Sequence, residues 1–259
     1  MKAYALNEGT YSVDQSKKFI PFDPAVNAHS DRPGSLFINV QPFLIDTGKE
    51  LLLLDAGLGF TTPEGELILH RNIRECGYQP GDVSKVLMSH LHFDHSGGMV
   101  QDRYGRYEPS FPQAEYYVQR EEFEHALLKP SRSYYKPMLE AMQRSGNLVM
   151  IEGSGSINSS IHYELTGAHS EFHQVFLLDL TGVKYFFGGD VLPEPEQLQR
   201  KFIAKYDFDG RKSMNLRQEY GLKAAHEGWT CLFYHSDTIA IGKVRYENEA
   251  FLIDEVTQA

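Results

Sequence analysis

The chain has 259 residues, 41% of them hydrophobic, 12% aromatic and 23% charged, with a formal net charge of −10. That composition argues against disorder and fibrous structure and supplies a sizeable core, and 259 residues fit one mixed α/β domain over 1–259. The acidic balance, with no basic run longer than pairs such as Lys17-Lys18 and Arg211-Lys212, disfavours nucleic acid as a partner.

MKAYALNEGTYSVDQ carries no apolar stretch of signal-peptide length, and no later window approaches the ~20 apolar residues of a membrane span. The expectation is a cytoplasmic protein without membrane contact. Cys76 and Cys231 are far apart and form no CxxC, so neither a disulfide framework nor a thiolate metal site is indicated. Cys231, inside TCLFY, reads as a small core residue.

Residues 17–37 are apolar and proline-containing without clear periodicity: a loop over a binding pocket, the arm of a homodimer, or an ordered surface segment. SLFINVQPFLIDT and ELLLL, separated by Gly48-Lys49, read as a hairpin or paired strands ending at Asp55-Ala56-Gly57. LILHRNIRECG places Leu67, Ile68, His70, Ile73 and Cys76 roughly on one helical face before a glycine stop, and KVLMS is a short buried strand. PQAEYYVQ is strand-like, and a helical stretch over 120–145, broken at Pro130 and Pro137, reads as a lid that seats an apolar group. NLVMIE, IHYELTG, HQVFLLDL and VKYFFGGD return to strand; residues 194–228 are charged and helical, and WTCLFYHSD is strand again. Sheet and helix alternate in two successive halves, which suggests two sheets with helices outside.

The strand KVLMS leads into SHLHFDHSGG, with three histidines and an aspartate inside six positions. In an extended segment His90 and His92 point to the same side. Asp94 and His95 follow at the bend, where the glycines let the backbone pass close to the site. Imidazole with carboxylate suits borderline divalent ions such as zinc, in catalytic rather than structural sites.

The HxHxDH spacing resembles the metallo-β-lactamase superfamily of metallohydrolases, and the rest of the chain extends the resemblance in the same order. Asp55 follows LLLL, His169 follows LTGA, Asp190 closes YFFGG and His235 follows LFY. The resemblance implies an αβ/βα four-layer sandwich with the site at one edge. It also implies a first metal on His90, His92 and His169, a second on Asp94, His95 and His235, Asp190 bridging, and Asp55 orienting a ligand by hydrogen bond. His173, four residues after His169, packs or lines the pocket wall on this reading. His29, His70, His125, His162 and His226 have no such context and read as ordinary surface or core residues.

By that resemblance two divalent ions, zinc first and manganese, iron or cobalt as alternatives, share a water that acts as a metal-bridging hydroxide, with Asp94 holding it and relaying its proton. The expected function is hydrolysis of a small-molecule ester or lactone, the alternatives being a single-iron dioxygenase or a thioester hydrolase. The zinc β-lactamases place a cysteine at the second metal, which this chain lacks. Lactonases commonly place a tyrosine a few residues after the bridging aspartate, where this chain reads Asp190-Val191-Leu192-Pro193. Tyr206, in KFIAKYDFD, reads as a core or surface aromatic, with reach into the pocket by another loop as the alternative.

Overall fold

A computed structural model describes residues 1–129 and 131–256; the helix break expected at Pro130 falls outside them. The chain opens with β1 (Lys2–Ala5), β2 (Gly9–Val13), β3 (Phe19–Pro21), β4 (Leu36–Val40), β5 (Phe43–Asp46) and β6 (Leu51–Leu54). Helix α1 (Ile68–Glu75), β7 (Val83–Leu87), the single turn α2 (Phe93–Ser96), β8 (Val100–Arg103), β9 (Arg106–Pro109) and β10 (Glu115–Gln119) follow. Then come α3 (Arg120–Leu128), α4 (Lys136–Ser145), β11 (Leu148–Ile151), β12 (Gly155–Ser156), β13 (Ile161–Leu165), β14 (Gln174–Leu180) and β15 (Val183–Phe187). The chain closes with α5 (Glu196–Gln199), α6 (Gly210–Glu227), β16 (Thr230–Leu232), β17 (Ile241–Glu247) and β18 (Ala250–Glu255).

Two sheets carry the architecture, one of six strands in the order β1-β5-β6-β7-β10-β11 and one of seven, β12 to β18 in sequence order. The reason lies in alternation. Phe43, Ile45, Leu52 and Leu54 point towards Phe176, Leu178, Phe187 and Leu232 of the second sheet. Their neighbours Leu44, Leu53 and Val86 point the other way, onto Leu69, Ile73, Phe123 and Leu139 of the helices. Strand β6 is buried on both faces, so it reads as an unbroken leucine run rather than an alternating one. On the far side of the second sheet Val175, Phe186, Cys231 and Val244 meet Leu198, Tyr220 and Ala224. Helix, sheet, sheet, helix is the four-layer sandwich expected, and each fully buried large side chain contributes roughly 1.5–3 kcal/mol.

Three details depart from expectation. SLFINVQPFLIDT does not form one strand: Pro42 has no N–H for a ladder, and the chain crosses there from β4, in a small β3-β2-β4 sheet, to β5 of the large one. Pro137 does not break a helix but starts α4, in the first turn where no N–H is needed. On α1 the buried residues are Leu69, His70, Asn72 and Ile73, whereas Ile68 and Cys76 are only half-buried. Among the described residues no helix is long and apolar enough to cross a membrane.

Candidate metal centre

The motif residues lie in segments that follow strand ends of the two sheets. Asp55 follows β6, His90 and His92 follow β7, His169 lies between β13 and β14, Asp190 follows β15 and His235 follows β16. Asp94 and His95 sit on the turn α2. The loop after β6 is locked onto that turn, since Ala56 N–H donates to the His95 carbonyl at 2.7 Å and Gly98 N–H to the Gly57 carbonyl at 3.1 Å. The glycines of SHLHFDHSGG serve this contact: a methyl group at Gly97 or Gly98 would run into the carbonyl oxygens of Leu58 and Ala56.

Two donor sets form side by side. In His90, His92 and His169, and again in Asp94, His95 and His235, one ligand atom from each residue lies within 4.8 Å of the others. This is the arrangement of a dinuclear site for divalent ions. Asp190 stands between the sets: its Oδ2 is 3.1 Å from His169 Nε2, and its Oδ1 is 3.1 Å from His95 Nε2 and 3.2 Å from His235 Nε2. A third group, Asp55, His90 and His95, also meets the distance criterion. Asp55, however, is engaged by Ser89 N–H and Oγ at 2.6 Å each and by His95 Nδ1 at 2.7 Å, so it acts on the other residues.

Hydrogen bonds on the outer side of the rings decide which nitrogen faces inward. His95 Nδ1 donates to Asp55, His169 Nδ1 to Asp207 Oδ1 at 2.8 Å, and His235 Nδ1 to the Asn39 carbonyl at 2.6 Å. Ser89 Oγ gives its proton to Asp55 and therefore accepts from His90 Nδ1 at 3.0 Å. Four imidazoles are thus left with Nε2 lone pairs aimed at one space, the pattern by which outer partners orient metal ligands. His90 Nε2 and His169 Nε2 lie 3.0 and 3.2 Å from His92 Nδ1. Lone pairs converging at that distance repel unless a cation lies among them. His95 Nε2 and Asp190 Oδ1 are buried with no hydrogen-bond partner, which a cation would satisfy. The donor set therefore fits two divalent ions.

The electrostatics agree. Burial, with His95 beside it, holds the His90 imidazole well below its usual pKa, and burial with His169 does the same for His92, so both are neutral donors. Burial would raise the Asp190 carboxyl, but His95, His169 and His235 outweigh it and hold it well below the usual carboxylate range. Burial also opposes charge on His95 and His235, yet Asp190 and Asp94 overcome it and raise both. Without a cation the carboxylates draw protons onto these rings; a divalent ion in the same field would displace them.

His173 is not in the donor sets. It is fully buried, its Nδ1 donates to Thr166 Oγ1 at 2.9 Å and its Nε2 accepts from Asp190 N–H at 3.2 Å, so it seats the Asp190 backbone rather than the pocket wall. Three supports were not legible in the chain. Asp207 lies in a charged loop with no motif around it. Tyr234 stacks on His95 at 4.1 Å and donates to the Asp94 carbonyl at 2.7 Å. Glu122, buried, accepts from Leu91 N–H at 3.0 Å and Ser170 Oγ at 3.1 Å.

The pocket at the site is lined by His92, Asp94, His169, Asp190 and His235 together with the apolar Val13, Phe19, Leu36 and Ile38 and with Lys17, Arg132, Ser133 and Tyr206. Segment 17–37 therefore lines the pocket, through Lys17, Phe19 and Leu36. From 120–145 it is the connection between α3 and α4, not the helices, that lines the pocket. Tyr206 also reaches it, with its ring 5.8 Å from that of His169, and is neither a core residue nor a plain surface aromatic.

A family model for the metallo-beta-lactamase superfamily matches residues 37–235. An N-acyl homoserine lactonase of Bacillus thuringiensis is 30% identical over 148 residues, 53% of this chain and 54% of its own length. The chain thus matches about half the length of that curated relative. A probable metal-dependent hydrolase from Staphylococcus aureus superposes with a TM-score of 0.77 at 21% identity, covering 98% of this chain and 97% of the other. AidC, a dizinc quorum-quenching lactonase in complex with a product, superposes with a TM-score of 0.75 at 16% identity, covering 99% of this chain and 95% of the other. The likeness to these two structures is one of fold. With the family model spanning the ordered sequence from β4 to His235, the chain belongs to the metallo-beta-lactamase superfamily.

Proposed function

We propose that the protein is a metal-dependent hydrolase of small esters or lactones. The observation that carries this reading is Asp190, whose two carboxylate oxygens face the two donor sets at 3.1–3.2 Å. In this reading His90, His92 and His169 would hold one ion and Asp94, His95 and His235 the other, with Asp190 available to both. Zinc best suits an imidazole-rich set with carboxylates. The similarity to an N-acyl homoserine lactonase puts lactones first among candidate substrates.

When bound, the ion pair supplies Lewis acidity that lowers the pKa of water and polarises a carbonyl oxygen. The chain does the rest. Asp94 Oδ2, 3.6 Å from His235 Nε2 and 3.8 Å from His95 Nε2, orients the attacking water and takes its proton. Tyr234 fixes the backbone of Asp94 while it does so. Burial and the nearby Asp190 charge keep the Tyr206 hydroxyl protonated, so at the pocket side it donates a hydrogen bond to substrate oxygen. Addition of water across the acyl bond yields a carboxylate, an alcohol and a proton.

The reading takes 1–259 as one hydrolase domain acting on a small molecule. Its two unpaired cysteines suit a reducing, cytoplasmic compartment. The test is a panel of lactones, aryl esters, thioesters and phosphotriesters assayed with metal-reconstituted protein beside His90→Ala and Asp190→Ala. Two ions per chain and loss of turnover in both variants are expected. One iron per chain with oxygen consumption, or unchanged turnover in the variants, overturns it.

A further inference from the structure

The pocket walls hold charges that the hydrolytic site does not use. Lys17 lies in the turn between β2 and β3, and Arg132 lies in the connection between α3 and α4; both line the pocket. Among cations near them in sequence, Arg32 pairs with Asp14, Lys129 with Glu171 and Lys136 with Glu140, whereas Lys18 has no carboxylate partner among the described residues and does not line the pocket. Lys17 and Arg132 pair with no carboxylate among the described residues. The nearest acid to Lys17 in its own turn, Asp14, is taken by Ser16 N–H and Oγ at 2.8 and 2.6 Å and by Arg32 at 3.3 Å. The only carboxylates lining the pocket are Asp94 and Asp190, both turned to the metal donors.

Both cations sit on segments whose backbone is held. Lys17 has φ 59°, a left-handed conformation that is uncommon for lysine and persists when the surroundings hold it. Its N–H bonds the Asp14 carbonyl at 3.0 Å. Next to Arg132, the Ser133 carbonyl accepts Phe93 N–H at 2.8 Å, which ties the connection to the turn carrying Asp94 and His95. Apart from the metal donors and these cations, the lining is largely apolar, with Val13, Phe19, Leu36, Ile38 and Phe93. A chain of net charge −10 thus turns two unpartnered cations and an apolar strip towards its reaction site.

We infer that the substrate is an ester or lactone bearing an anionic group, a carboxylate or phosphate, which the cationic lining of Lys17 and Arg132 attracts while the apolar lining seats its carbons. This inference rests on the hydrolase reading above. A guanidinium and an ammonium each match such an oxyanion, and a charge-assisted bond of this kind orients as well as attracts.

The test compares para-nitrophenyl butyrate with mono-para-nitrophenyl glutarate on metal-loaded protein. Calorimetry of butyrate, glutarate and phosphonopropionate runs beside it as a readout independent of turnover. Wild type is expected to prefer the anionic ester by about tenfold or more in kcat/KM, with the preference shrinking as salt rises. In Lys17→Met and Arg132→Gln, both at exposed side chains, the anionic-to-neutral ratio is expected to fall towards one. Tighter binding of glutarate or of phosphonopropionate over butyrate identifies which oxyanion the site takes. Turnover of both esters without preference, together with equal binding of all three acids, overturns the inference and leaves the hydrolase reading standing. Preferential binding of the dianions with no turnover of any ester does the reverse.

Discussion

Asp55 and His95, forty positions apart in sequence, meet through a 2.7 Å bond from His95 Nδ1 to Asp55 Oδ2, with both side chains fully buried. Asp55 also holds Ser89, which holds His90, so one carboxylate orients a donor in each set. It does so from a left-handed backbone, φ 57°. Asp55→Ala is expected to weaken binding at both metal positions by about 10–100-fold, the usual effect of losing an outer partner. Zinc competition with a chromophoric chelator measures this; affinity within twofold of wild type would remove Asp55 from the centre.

Asp207 plays the corresponding part for His169, and its other oxygen, Oδ2, is buried without a partner. Asp207→Ala is expected to lower metal affinity by about tenfold. Asp207→Asn, which keeps an acceptor for Nδ1–H, should fall between. If the two variants are equal and both match wild type, the contact does not set the orientation of His169.

Gly98→Ala should be strongly destabilising although it adds only a methyl group. That methyl meets the Ala56 carbonyl, a backbone atom pinned by the strand end, and Gly59 lies just beyond. Overpacking of this kind costs about 1–3 kcal/mol, sometimes more. Denaturant unfolding checks it: a midpoint unchanged from wild type would mean that the two loops are free to separate.

Glu8 gives a pH dependence whose sign can be worked out. Burial pushes its carboxyl up to about 8 from an ordinary 4.5, against one opposing bond from Leu58 N–H. Between those values the folded chain keeps a proton that the unfolded chain releases. Stability from this group is therefore fully present below pH 4.5 and falls as pH rises through about 8, by on the order of 3–5 kcal/mol at most. Glu8→Gln, which cannot ionise, should flatten that slope. Melting temperatures recorded from pH 5 to 8.5 test it, and parallel curves for the two proteins would contradict it.

Residues whose chemistry is unusual for their position were legible in the chain. His90, His92, Asp94 and His95 cluster too densely for a surface loop, and Asp190 and His235 close apolar runs where a polar residue has to be satisfied by something. The supports were not legible, because Asp207, Tyr234 and the Asn39 carbonyl act through contacts across 38 to 196 residues of sequence. The same holds for strands β1 to β3. They are short and lack a regular alternation, and register with β4 and β5 decides them.

By itself the sequence determined the donor types, their order and the layered fold. Alternation of apolar residues dictates which faces are buried, and imidazole and carboxylate carry their ligand chemistry wherever they stand. Tertiary structure decided the rest. It supplied the outer partners, since His169 Nδ1 is held by Asp207 while His173 Nε2 is spent on Asp190 N–H. It also brought Tyr206, Lys17 and Arg132 to one mouth. No local pattern encodes a pocket wall built from three distant segments; packing of the two sheets places their loops side by side.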